Sequence, residues 1–229
     1  CAHLAQPCAS WLSQALGEHR WTSTGRKRPE NSSSERLTSL QPDLHTTSAL
    51  QMSVDPGTFD VYVAKQDFKF HCAHFVTFSG FRERMHGHNY NVGVALKGSH
   101  LGPDGYVVDF GDIKKVTRRL CKELNERFIC PMYSDVMEVE LGEDQVVLRC
   151  EDGAYFSLPR GDCAVLPLVH STAEEISRFF WCNLVQEFTI EWLKARGVTA
   201  VEITVSEAAS QQAVYRRAVP EDDEELDAL

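Results

Sequence analysis

What the sequence lacks narrows the field first. No apolar run approaches the length of a membrane span, so no transmembrane helix is expected. Positive charge is scarce: 23 Lys and Arg stand against 33 Asp and Glu, a formal net charge of −10. That balance makes nucleic acid and anionic membrane surfaces poor partners. Part of it is concentrated in an acidic tail, residues 219–229, where Glu221, Asp222, Asp223, Glu224, Glu225 and Asp227 crowd together and disorder is expected. Cysteine is not scarce, but its pairing is missing. Cys1, Cys8, Cys72, Cys121, Cys130, Cys150, Cys163 and Cys182 form no C-x-x-C pair, which argues against a thiolate zinc knuckle. A chain of this length with a real core needs no disulfide framework, so the thiols are expected reduced and the address cytoplasmic.

What is present is the composition of a globular protein, 43% hydrophobic and 24% charged, with room for one domain plus extensions or two small domains. Residues 1–55 are rich in Ser, Thr, Gln and Asn and carry helical apolar spacing only around Trp11, Leu12 and Leu16, so a disordered N-terminal extension is expected. The chain does not start with methionine, as in a processed or partial chain. A basic knot, Arg26-Lys27-Arg28, leaves organellar targeting open, but Glu18, Glu30, Glu35 and Asp43 weigh against it.

From Phe59 the pattern becomes regular. Phe59, Val61 and Val63 alternate with polar neighbours, then Phe68, Phe70, Cys72 and His74 alternate with shifted parity, which predicts a long strand with a bulge near residues 65–67. A second strand from His86 to Gly98 completes an antiparallel pair. Asp109 opens a helix carrying Ile113, Val116, Leu120 and Leu124 at helical spacing, expected to end before Pro131. Residues 132–169 read as inserted hairpin strands, 136–141, 145–150 and 154–158. Ser171 and Glu174 have the spacing of a capping box before the stripe Ile176, Phe180, Leu184, Phe188, with Gly197 just past that helix's end. Val201, Ile203, Val205 and Glu207 share one face of a strand, and a last strand runs through Val214 and Tyr215. The expectation is an α+β domain over 56–218, in ββααββ order with a β-hairpin insertion between two helices that cover one face of an antiparallel sheet.

The chemistry gathers at His86-Gly87-His88. Residues two apart on a strand share a face, so the two imidazoles lie side by side, and His74 on the neighbouring run is a third candidate. Three histidines with an open fourth position suit a catalytic zinc ion. Alone, an H-x-H pair is more often two strand histidines than a metal site, and the surrounding motifs decide between them.

Those motifs are Phe70-His71-Cys72-Ala73-His74-Phe75, His86-Gly87-His88-Asn89-Tyr90, Asp109-Phe110-Gly111-Asp112-Ile113-Lys114, Ser171-Thr172-Ala173-Glu174-Glu175-Ile176, Val205-Ser206-Glu207 and Ala213-Val214-Tyr215. In this order they resemble the 6-pyruvoyl-tetrahydropterin and 6-carboxy-tetrahydropterin synthase family, from about Phe59 to Arg217. The resemblance implies the tunnelling fold (T-fold) and a homo-oligomer, commonly a trimer stacked into a hexamer, with active sites at subunit interfaces. It implies Zn2+ on His74, His86 and His88, pterin anchored by Glu207, and Ser171 and Thr172 helping to hold it. The bidentate match of a carboxylate to two parallel N–H donors makes the Glu207 role physically sound.

Two positions depart from the family pattern. The usual catalytic cysteine shortly before H-G-H is absent, and Glu83 stands three residues before His86, which resembles a variant branch found in malaria parasites and some bacteria. That branch cleaves the side chain of 7,8-dihydroneopterin triphosphate to 6-hydroxymethyl-7,8-dihydropterin, feeding folate synthesis, and some members retain the 6-pyruvoyl product. The usual Asp-His pair is replaced by Asn125-Glu126, and His170 is a possible replacement imidazole. Lys65, Lys69, Arg82 and Arg84 are candidate cations for the triphosphate. Three hypotheses follow: a zinc lyase with Glu83 as base; a 6-pyruvoyl or 6-carboxy product made with Cys72 or another base; and a non-catalytic zinc- and pterin-binding protein.

Overall fold

The computed structural model describes residues 57–227; the expected extension at 1–55 lies outside the described residues. Strand β1 (Phe59–His74) is long and bent, and its pairing register slips between Ala64 and Lys69, where the bulge was expected. Beyond the bulge, Phe68, Phe70, Cys72 and His74 are buried on one face. A two-stranded ribbon follows, β2 (Thr77–Phe78) and β3 (Phe81–Arg82). Its turn needs Gly80, whose φ of +77° lies in the left-handed region that glycine enters without steric penalty. Strand β4 (His86–Gly98) then pairs antiparallel with β1, setting His74 opposite His86, Cys72 opposite His88 and Phe70 opposite Tyr90.

Helix α1 (Phe110–Leu124) opens at Asp109, whose side chain accepts the Gly111 N–H at 2.6 Å, as the sequence suggested. It stops well short of Pro131. Glu126 takes a positive φ of 61°, and the chain enters β5 (Arg127–Pro131), which runs parallel to β1. The inserted strands are β6 (Met137–Leu141), β7 (Gln145–Cys150) and β8 (Tyr155–Pro159), an antiparallel sheet of their own. After them β9 (Cys163–Leu166) pairs parallel with β5. The sheet is therefore not wholly antiparallel. Phe128 to Pro131 and Cys163 to Leu166 are buried without alternation, as strands covered on both faces are, and period-two reasoning passes over them.

Helix α2 (Ala173–Phe188) is capped by Thr172, whose hydroxyl accepts the Glu175 N–H, one residue later than the expected Ser171 cap. Trp181 is fully buried in it and donates its indole N–H to the Val201 carbonyl at 3.0 Å, fastening helix to sheet. The helix breaks at Thr189, at φ 63°, and restarts as α3 (Ile190–Ala195) instead of running on to Gly197. Strands β10 (Val198–Ala208) and β11 (Gln211–Ala218) finish a six-stranded sheet ordered β11-β10-β4-β1-β5-β9. Helices α1 and α2 cover one face of it, and Ile113, Leu120, Ile176, Phe180, Val94 and Ile203 meet in the core between them.

Residues 219–227 of the acidic tail depart from the expected disorder. They include α4 (Asp223–Asp227), with Leu226 buried and two carboxylates paired across the fold, Glu225 to Arg217 at 2.7 Å and Glu221 to Lys194 at 2.8 Å. Two cations and one apolar anchor supply partners that a charge count does not reveal. Among the described residues, no helix is long and apolar enough to cross a membrane.

Candidate active site

The antiparallel register of β1 and β4 brings His74, His86 and His88 together. One ligand atom from each lies within 4.8 Å of the others, and the ring centroids are 4.7 to 5.2 Å apart. Gly87 suits the close approach between the two β4 histidines, since a Cβ there would stand 3.2 Å from the Cys72 carbonyl oxygen, tighter than ordinary contact. Two rings are oriented from behind. His74 Nδ1 lies 2.8 Å from the Ser171 carbonyl, and His86 Nδ1 lies 2.8 Å from the Arg84 carbonyl. A carbonyl only accepts, so each Nδ1 carries the proton and each Nε2 keeps its lone pair for a metal. Burial pushes the His74 imidazole below its ordinary value, against the pull of the Ser171 carbonyl, which also favours the neutral ring a metal needs. Three imidazole nitrogens, two of them aimed in this way, fit zinc with an open coordination position.

Glu207 reaches the same face from β10. Its Oε1 accepts the Tyr90 hydroxyl at 2.7 Å, and that hydroxyl is 3.3 Å from His74 Nε2. Tyr90 thus joins the pterin-anchor candidate to the histidines. Its position on the parity of His86 and His88 was visible in the sequence, but its bridging role was not. Burial first, then the hydrogen bond and charge of Glu207, and more weakly the Glu83 charge, raise the Tyr90 hydroxyl far above its ordinary value, so it remains a neutral donor.

Ser171 and Thr172 sit where α2 begins. Ser171 is fully buried; its carbonyl holds His74 and its hydroxyl donates to the Phe75 carbonyl at 2.9 Å. Thr172 is half-buried and caps the helix. Glu175 reaches back to the Val169 and His170 N–H groups at 2.8 and 3.2 Å. His170 therefore adjoins the residue that supports His74, with its own Nδ1 buried and, among the described residues, without a hydrogen-bond partner.

Glu83 lies half-buried in the short link between β3 and β4. Its N–H donates to the Val76 carbonyl and its Oε2 accepts the Val76 N–H, both at 3.0 Å. This reciprocal pair ties the carboxylate to the chain two residues beyond His74. Cys72, by contrast, is buried, and desolvation with the nearby Glu207 charge pushes its thiol up to about 12, far from a thiolate at neutral pH.

Asn125 and Glu126 fasten the helix exit to β1. Asn125 Oδ1 accepts the His71 N–H at 2.9 Å, and the Glu126 N–H donates to the His71 carbonyl at 2.6 Å. Of the candidate cations, Lys65, Lys69 and Arg84 are exposed. Arg82 is not a free cation: it is paired with Asp152 at 2.8 Å.

Comparison with known proteins agrees with this geometry. The family model for 6-pyruvoyl tetrahydropterin synthase matches residues 62–218. A putative 6-carboxy-5,6,7,8-tetrahydropterin synthase from Methanocaldococcus jannaschii is 30% identical over 133 residues, covering 58% of this chain and 80% of that protein. The crystal structure of 6-pyruvoyl tetrahydropterin synthase from Plasmodium vivax superposes with a TM-score of 0.68 at 42% identity, over 71% of this chain and 99% of that one. The Plasmodium falciparum enzyme does so with the same TM-score at 39% identity and the same coverage. The fold is the T-fold of these pterin enzymes, and the chain belongs to the 6-pyruvoyl tetrahydropterin synthase family.

Proposed function

We propose that the chain is a zinc-dependent lyase acting on 7,8-dihydroneopterin triphosphate, with Glu83 as base, giving 6-hydroxymethyl-7,8-dihydropterin for folate synthesis. The observation that carries this is the Glu83–Val76 pair, which ties a carboxylate to the chain two residues beyond His74, in the stretch where the family resemblance leads one to expect a cysteine. Two further Plasmodium vivax structures, each 42% identical to this chain, are of enzyme variants in which a catalytic glutamate is replaced by alanine or by cysteine. They support a glutamate in the catalytic role. The alternative thiol, Cys72, is buried and held protonated.

His74, His86 and His88 are the residues that would hold zinc, which supplies a Lewis acid for the side-chain hydroxyls of the substrate. Glu207 accepts hydrogen bonds from the pterin, with Tyr90 fixing its carboxylate, and Thr172 helps to hold it. The expected Ser171 side chain does not, because it is fully buried and donates to the Phe75 carbonyl, so Ser171 serves the site through its carbonyl on His74. Glu83 takes the proton of a side-chain hydroxyl. As that C–O becomes C=O, the adjacent carbon–carbon bond breaks and its electron pair passes into the dihydropterin ring. A proton delivered to the remaining side-chain carbon then draws the pair back into a C–H bond and gives the hydroxymethyl group. The Val76 N–H holds Oε2, which leaves Oε1 for the proton.

The working unit is a homo-oligomer, trimer or hexamer, with active sites at subunit interfaces. The terminal strands β11 and β9 support this, because among the described residues each has one neighbour in the sheet and so leaves an edge for another subunit's strand. Incubating the zinc-loaded protein with 7,8-dihydroneopterin triphosphate and identifying products by mass tests the proposal. Consumption with release of a two-carbon fragment supports it; no consumption at full zinc occupancy contradicts it.

A further inference from the structure

We infer that Arg82 is a positioning residue for Glu83 and that the inserted sheet β6–β8 holds it through Asp152, an inference that rests on Glu83 being the base. The Arg82 side chain is only 18% exposed. Its Nε donates to Asp152 Oδ2 at 2.8 Å and its Nη1 donates to the Glu83 carbonyl at 2.9 Å. The guanidinium also lies 5.6 Å from the centroids of Phe75 and Phe156. Phe75 directly follows His74, and Phe156 belongs to β8; the two rings stack at 5.2 Å. One side chain therefore joins the strand carrying a histidine of the cluster, the link carrying the base, and the insertion.

Asp152 is itself aimed. Its Oδ1 accepts the Ala154 N–H at 3.0 Å within the turn between β7 and β8, so Oδ2 faces Arg82. A second, weaker tie runs from the Gly80 N–H to Glu151 Oε2 at 3.3 Å in the same turn. At Glu83 the result is a backbone held from both sides, its carbonyl by Arg82 and its N–H by Val76. In this three-residue link Arg84 and Met85 are exposed, so little packing fixes its backbone, and a displacement of about 1 Å in a reacting group lowers rate on the order of a hundred-fold. The planar fork of arginine suits this task, because it can pair, donate and stack at once, which a lysine ammonium cannot.

The test uses Arg82→Ala, Arg82→Lys, Asp152→Asn and Glu83→Ala in the full, zinc-loaded chain. Asp152→Asn keeps an amide oxygen for the Ala154 turn while removing the charge, so it reports even if Arg82→Ala folds poorly. Turnover of 7,8-dihydroneopterin triphosphate is measured together with amide hydrogen exchange of segment 76–83. The inference expects Arg82→Ala and Asp152→Asn to lower kcat by roughly 10- to 100-fold, with KM and zinc content kept and exchange faster in 76–83. Arg82→Lys should restore little, and Arg82→Ala should add nothing to Glu83→Ala. Unchanged kcat and unchanged exchange overturn it, and so does a rise in KM alone, which would make Arg82 a substrate-binding cation. If Glu83→Ala keeps normal turnover, the base assignment fails instead. The brace is then decided by exchange: faster exchange of 76–83 upholds it and unchanged exchange overturns it.

Discussion

His74 Nδ1 and the Ser171 carbonyl oxygen stand 2.8 Å apart, and this contact ties the strand carrying the first histidine to the start of helix α2. The helix that covers the core thus also selects which nitrogen of His74 is free. Ser171 supports the ring through its backbone, and its side chain serves Phe75.

Replacing Ser171 by alanine should therefore leave the metal site intact. The His74 contact survives, while the Phe75 carbonyl loses its buried donor, so stability should fall by about 1–2 kcal/mol. Chemical denaturation with parallel zinc analysis checks both parts. Zinc lost with stability kept would contradict it.

His86→Ala and His88→Ala should each abolish stoichiometric zinc, because two nitrogens on this surface cannot replace a three-histidine set. Metal analysis of the purified variants against wild type is the check. Near-stoichiometric zinc in both variants would disprove the three-histidine site.

Glu207→Ala should retain zinc and lose pterin affinity by roughly 10- to 100-fold, the worth of charge-assisted hydrogen bonds to the ring. Tyr90→Phe should produce a smaller loss of the same kind, since it frees the Glu207 carboxylate without removing it. Titration with a pterin, followed by fluorescence, separates them.

Cys72 should resist alkylation in the folded protein at pH 8, and Cys72→Ser should retain most turnover. The thiols of Cys72, Cys121 and Cys130 are all pushed up to about 12 by burial. Their folded values are raised, so the native state keeps protons that the unfolded chain sheds above about 8.5. Their stabilising contribution is complete below that pH and is lost as pH rises towards 12. Denaturation midpoints measured from pH 8 to 11 should fall steadily; a flat profile would be inconsistent with buried protonated thiols.

Much of this was legible in the sequence because it depended on period. The bulge in β1, the pairing of β1 with β4, the Asp109 cap and the three-histidine face all follow from alternation or helical spacing. What alternation misses is what lacks it. Strands β5 and β9 are buried on both faces and left no period to read. The Arg82–Asp152 pair spans seventy positions, and neither residue carries a local signal of the other. The Thr189 break and the ordered tail depend on a strained backbone angle and on distant cations.

The most direct measurement is product identity, by mass, for zinc-loaded wild type and Glu83→Ala given 7,8-dihydroneopterin triphosphate. Wild type should give 6-hydroxymethyl-7,8-dihydropterin and a triphosphorylated two-carbon fragment, with a rate loss on the order of a hundred-fold or more in the variant. Free triphosphate without carbon–carbon cleavage, or equal turnover by both proteins, would contradict it.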